Sequence, residues 1–283
     1  MIKKVYLEIT NVCNMSCSFC HGTKRPPRFI SEDEFKIALE KLKGKISYLY
    51  FHLMGEPTLH PQLSGFLALA HNYGFKVILT TNGTLLKEKS SILLSSAALH
   101  KVSVSLHSFE ANDIDLSLDG YLGDVFDFCR GCAAAGKIAV MRLWNRGGRE
   151  DLNCDILSKM KEYFPGEWKE SYSGLKLSER IYLEWGEKFD WPDIKGSILN
   201  ENGFCYGLRD QVGVLCDGSV VPCCLDRNGD ITLGNLFDSS LEEILLSKRA
   251  RELYDGFTSH ICSEELCKRC MRASYYRRAE KTK

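Results

Sequence analysis

Three cysteines near the start of the chain, Cys13, Cys17 and Cys20 in "TNVCNMSCSFCHG", are separated by three and then two residues. Thiolates at such spacing select zinc or an iron–sulfur cluster. A closed tetrahedral zinc site needs a fourth ligand, and the adjacent His21 would supply it. Alternatively, three thiolates hold three irons of a [4Fe–4S] cluster and leave the fourth iron open to a substrate or cofactor. Spacing alone leaves both readings standing.

A second cysteine-dense stretch lies near the C-terminus, where Cys205, Cys216, Cys223, Cys224, Cys262, Cys267 and Cys270 fall within 66 residues. Twelve residues separate Cys205 from Gly218 and four more lead to Cys223; Cys267 and Cys270 form a C-x-x-C pair. A segment this small and poor in apolar residues depends on a metal to fold. A four-cysteine zinc ribbon is the simpler alternative. Cys129, Cys132 and Cys154 sit on helical patterns and read as buried thiols.

Elements of regular length must position these groups. Strands are expected at 5–10, 47–53, 76–81, 101–107, 138–144 and 181–185. Helices are expected at 31–42, 61–73, 84–97, about 121–134 and about 151–163, with Ser31 and Glu34 marking one helix start. Repeated βα units imply a parallel sheet with helices outside. Six of them make an α/β fold of the partial (β/α)6 TIM-like barrel kind, in which chemistry sits at the strand C-terminal ends. The first cysteine loop, "MGEP", "TNG" and "SLHS" all fall at such ends. The expected organisation is a barrel over 1–187, a turn-rich linker over 188–203 and a small cysteine-rich domain over 204–283, whose "SLEEILLSKRARELY" reads as one amphipathic helix.

Composition narrows the class. The chain has 283 residues, 44% apolar and 26% charged, with no net charge, so wholesale capture of nucleic acid or anionic membrane is not expected. The tail from Lys268 carries seven Lys or Arg against one Glu and reads as solvated, or as a surface for an acidic partner. Neither a signal-peptide h-region nor a membrane-length apolar run is visible, so a cytoplasmic protein is expected. There, thirteen cysteines read as ligands and spare thiols rather than disulfides.

"CNMSCSFC", with the aromatic Phe19 before its third cysteine, resembles the CxxxCxxC signature of the radical S-adenosylmethionine (radical SAM) superfamily. The resemblance implies that Cys13, Cys17 and Cys20 hold a [4Fe–4S] cluster whose open iron binds S-adenosylmethionine. It further implies reductive cleavage to a 5′-deoxyadenosyl radical, with the electron supplied by a donor such as flavodoxin or ferredoxin. "MGEP" resembles the family's GGEP motif and carries its cofactor-binding role to Gly55 and Glu56, with Met54 in place of the commoner Gly. "TTNG" suggests Asn82. "SVSLHS" resembles the S-x-D-G motif at Ser105, with His107 where Asp is usual. "MRLWNR" offers Arg142 and Asn145 for the carboxylate or ribose.

The C-terminal cysteines resemble the twitch domain, the shortened SPASM domain, implying one auxiliary [4Fe–4S] cluster on Cys205, Cys223, Cys267 and Cys270, with Cys224 an alternative to Cys223. Such a cluster takes up the electron left after hydrogen abstraction, giving a net two-electron oxidation, and Glu184 is the candidate base. The expected substrate is a small molecule such as a sugar or aminocyclitol. A ribosomal peptide, matured by crosslinking or residue oxidation, is the alternative; with the barrel starting at residue 4, a leader-binding domain before it is not expected. A non-catalytic electron carrier or zinc module is the alternative of another class.

Overall fold

The computed structural model describes residues 2–112, 114–188 and 190–273. The first half alternates β1 (Lys4–Leu7), α1 (Glu32–Leu42), β2 (Tyr48–Phe51), α2 (Leu63–Asn72), β3 (Lys76–Thr81), α3 (Leu86–Ser95) and β4 (Leu99–Ser105). One turn of helix, α4 (His107–Glu110), precedes α5 (Leu118–Ala134), β5 (Ile138–Arg146) and α6 (Asn153–Tyr163). A hairpin of β6 (Lys169–Ser171) and β7 (Gly174–Ser178) leads into β8 (Ile181–Glu187). After 203 come β9 (Gln211–Val214), β10 (Ser219–Val221), β11 (Gly234–Asn235), α7 (Leu241–Leu245), α8 (Lys248–Thr258) and α9 (Glu265–Lys268).

Local chemistry explains the starts and faces. Ser31 and Glu34 form a reciprocal capping box on α1, whose Phe35, Ala38, Leu39 and Leu42 are buried at helical spacing. Phe35 stacks on Phe66 of α2, and both sit under the sheet with Leu7, Leu49, Val77, Val102 and Leu183. Odd and even strand positions therefore separate: one face builds this core and the other faces a cavity.

The sheet runs β11-β10-β9-β1-β2-β3-β4-β5-β8-β7-β6. β1, β2, β3, β4, β5 and β8 are the six parallel strands that the sequence implies. β9 adds to them in parallel on the outer side of β1, with Lys4 opposite Gln211. The cysteine-rich part thus extends the same sheet instead of standing beside it.

Four expectations change. The β6–β7 hairpin closes the sheet's other edge and was absent from the sequence pattern. β1 ends at Leu7, and Thr10 only bridges to Phe29 across the cysteine loop. The expected single helix at 240–254 breaks into α7 and α8, because Ser247 takes an extended conformation and caps the N–H of Ala250. Cys154 is exposed on α6, while Cys129 and Cys132 are buried on α5 as expected. The described residues of 188–203 hold no helix or strand beyond one bridge, Asn202 to Ile261, yet Trp191 and Pro192 wall the cavity.

Candidate functional site

The strand C-terminal ends surround a cavity of about 740 Å³. Cys13, Cys17 and Cys20 line one side, on the loop after β1 that Thr10 and Asn11 close by hydrogen bonds to 26 and 28. Two amides point at its sulfurs: Asn112 Nδ2 donates to Cys17 at 3.0 Å and Asn82 Nδ2 to Cys13 at 3.9 Å. Burial pushes the Cys17 thiol up to about 11, and the Cys20 and Cys13 thiols beside it add to the shift.

The MGEP loop after β2 grips this cysteine loop from behind. Gly55 has φ of +74°, and a Cβ there would lie 2.4 Å from the Thr10 carbonyl oxygen, so only glycine fits. Glu56 donates its N–H to Val12 at 2.8 Å. Its buried carboxylate accepts from the Thr58 N–H and hydroxyl, the Thr81 hydroxyl and the Asn82 N–H at 2.6–3.0 Å. Burial raises its pKa against those four bonds. Asn82 lies in the turn after β3, donates to Asn14 Oδ1 and accepts from Thr84, so it both shapes the turn and faces the cysteine loop.

Ser105, His107, Phe19 and Arg142 line the same cavity. His107 is buried, its ring 5.0 Å from Phe19 and its Nδ1 3.1 Å from the Arg142 carbonyl oxygen. Burial, and then the Arg142 charge, push its pKa down to about 4. The Arg142 guanidinium lies 4.5 Å over the Trp144 ring and pairs with Glu184 at 3.2 Å. Glu184 also faces Lys101 at 3.7 Å and is not among the residues lining the cavity. Asn145 lines a separate cavity of about 240 Å³ shared with Phe19 and His107, and its amide donates to the Arg149 carbonyl and Asn153.

Cys205, Cys223, Cys267 and Cys270 line the opposite side of the large cavity. Burial raises all four thiols, Cys205 to about 12, and the thiols of Cys205, Cys224, Cys270 and Cys267 raise Cys223 further. Cys224 lines the same cavity within electrostatic reach of Cys205 and Cys223, and its thiol also meets the Tyr6 hydroxyl. Cys262 is buried beside Cys270, and Cys216 lies against Glu8 and Arg25. Among the described residues no three His, Cys, Asp or Glu side chains converge on a single point. Thiols rimming a cavity suit a multi-atom group better than one zinc ion.

Sequence reasoning missed the buried pair behind the loop. Glu8 accepts from Arg25 at 2.8 Å, from the Met54 N–H at 3.1 Å and from the Cys216 N–H at 3.2 Å, joining three segments. It also missed Asn112 and the cavity floor of Lys4, Tyr6, Tyr50 and His52. Alternation in "KVYLE" places Lys4, Tyr6 and Glu8 on one face and was the available signal.

A parallel α/β core with two thiol sets around one cavity at its C-terminal edge suits a protein that holds iron–sulfur centres. The chain belongs to the radical SAM superfamily, whose profile matches residues 7–170, and an iron–sulfur cluster-binding SPASM domain follows at 205–271. It accordingly uses a [4Fe–4S] cluster with S-adenosylmethionine, and auxiliary iron–sulfur binding in its C-terminal part.

A probable GTP 3′,8-cyclase of Sulfolobus acidocaldarius is 34% identical over 38% of this chain, a stretch that spans only 36% of that protein. The GTP 3′,8-cyclase of Microcystis aeruginosa is 23% identical over 88% of this chain and 90% of its own length. BtrN, solved with AdoMet and 2-DOIA, has the same fold, with a TM-score of 0.65, 16% identity and coverage of 96% and 93%. SuiB of Streptococcus suis, solved with S-adenosylmethionine, gives a TM-score of 0.63 at 16% identity, covering 95% of this chain and 72% of SuiB. No helix among the described residues is long and apolar enough to cross a membrane.

Proposed function

We propose that this enzyme oxidises a small-molecule substrate by two electrons, with Cys13, Cys17 and Cys20 holding the open cluster and Cys205, Cys223, Cys267 and Cys270 an auxiliary one. The observation that carries this is the cavity itself: both thiol sets line it, so one substrate reaches both. When bound, the open cluster and S-adenosylmethionine would supply a 5′-deoxyadenosyl radical to take a hydrogen atom, and the second electron would pass to the auxiliary cluster as a proton leaves to solvent.

The chain's own residues position and shield. Gly55 lets backbone approach closely, and Glu56 locks the β2 and β3 loops against the cysteine loop. Asn82 and Asn112 donate toward sulfur, which favours the thiolate form. Phe19, Ser105, His107 and Asn145 shape the cofactor's side of the space, and Trp191 and Pro192 of the 188–203 connector exclude water. Glu184 acts through Arg142 as a positioning residue, since its carboxylate is held by Arg142 and Lys101 away from the cavity. Thirteen free cysteines and oxygen-sensitive clusters fit a reducing cytoplasm, with a flavodoxin or ferredoxin as donor.

Peptide maturation is the second reading, favoured by the shared fold of SuiB, which is also solved with a precursor peptide. The first test is anaerobic reconstitution with iron and sulfide counts. About eight irons per chain, falling to about four in a Cys13/Cys17/Cys20→Ala variant that no longer forms 5′-deoxyadenosine, is the expected result. Roughly twelve irons would mean a second auxiliary cluster. Clusters that never cleave S-adenosylmethionine would leave an electron carrier.

A further inference from the structure

The cavity floor carries a cation, Lys4, that no cluster- or cofactor-binding motif accounts for, beside Arg142, which the family resemblance offers for S-adenosylmethionine. Lys4 and Tyr6 come from β1, Tyr50 from β2, His52 from just after it, and Arg142 and Trp144 from β5. Lys4 Nζ lies 5.9 Å and 6.0 Å from the Tyr6 and Tyr50 ring centres; its charge reaches the Cys224 thiol, and it pairs with no carboxylate among the described residues. Arg142 shares Glu184, its carboxylate partner among the described residues, with Lys101. Lys188 and Arg272 line the same cavity.

The carboxylates in reach are already engaged. Glu56 accepts from four donors, and Asp226 accepts the N–H groups of Asp230 and Ile231. Asp210, near Tyr50, does not line the cavity. His52 lies within electrostatic reach of both cations and is set edge-on to Tyr6 at 5.1 Å. Burial, with Arg142 and Lys4 adding, pushes its pKa down to about 3, so the ring is neutral. Its Nδ1 is buried and meets no partner. An orphaned lone pair costs less than an orphaned N–H, so the proton sits on Nε2 and makes that nitrogen the donor.

We propose that Lys4, His52 and Arg142 bind an oxyanion of the substrate, a carboxylate or a phosphate, so that the enzyme acts on a small anionic molecule. Two cations, on β1 and β5, and a neutral N–H donor just after β2, all lining one cavity, give charge-assisted bonds that a neutral polyol or an amine would not return. The proposal rests on the preceding reading in one respect, that this cavity is where substrate sits.

The test is calorimetric binding to the reconstituted protein loaded with S-adenosylmethionine. Probes matched in size are gluconate, glucitol and glucosamine, and glucose 6-phosphate beside glucose. The expected result is a Kd at least about tenfold lower for an anionic probe than for its neutral counterpart, with the two anions separating carboxylate from phosphate. Lys4→Met should bring the anion's Kd to that of the neutral probe, and Lys4→Arg should keep the preference, with iron content confirming that each variant folds. Equal binding within each set, preference for glucosamine, or no anion binding at millimolar concentration would overturn the proposal. Formation of 5′-deoxyadenosine by the same wild-type sample tests the radical reading separately. Its absence with anion preference intact would sink that reading alone.

Discussion

Two residues decide how firmly the cysteine loop is held. Gly55→Ala would place a methyl 2.4 Å from the Thr10 carbonyl at a φ of +74°. Left-handed strain and the clash together should cost at least about 2 kcal/mol. Iron retained on gel filtration should fall by the open cluster's share, while the auxiliary cluster's share stays. The Glu8–Arg25 pair is more sensitive still, since the Glu8 side chain is fully buried and Arg25 11% exposed. Arg25→Met strands the carboxylate and should lower urea stability by roughly 3–5 kcal/mol. Adding Glu8→Gln should recover part of that loss, because the stranded charge is then gone.

At the scale of elements, caps and strand ends carried most of what was readable. The Ser31 box, the six parallel strands and the four polar loops at their C-terminal ends follow from local pattern, and the loops do meet at one cavity. The β6–β7 hairpin did not, because β6 is wholly polar and the alternation in β7 is only two leucines long, Leu175 and Leu177. The break between α7 and α8 was legible only as a second serine, Ser247, seven residues after Ser240. Ser247→Ala should therefore cost about 1 kcal/mol in thermal or urea unfolding without changing iron content. Site residues outside motifs were hidden for a different reason. Lys4 and His52 look ordinary in the chain, and only the curl of the sheet brings them to Arg142.

For the whole molecule, buried histidines set the acid limit. His52 and His107 have folded pKa values of about 3 and about 4, below the ordinary 6.5. As pH falls below 6.5 the unfolded chain takes up protons that the folded chain refuses, so stability drops between 6.5 and those values. Urea midpoints at pH 7 and pH 5 should show the loss, and a His52→Gln/His107→Gln variant should show less of it. The pairing of β1 with β9 has its own consequence during synthesis. β1 leaves the ribosome early, but the strand that covers its outer edge, starting at Gln211, is made last among the parallel set. Until then a bare row of N–H and C=O groups is open to neighbouring nascent chains. A fragment ending at the connector would keep Cys13, Cys17 and Cys20 and still be the species that aggregates.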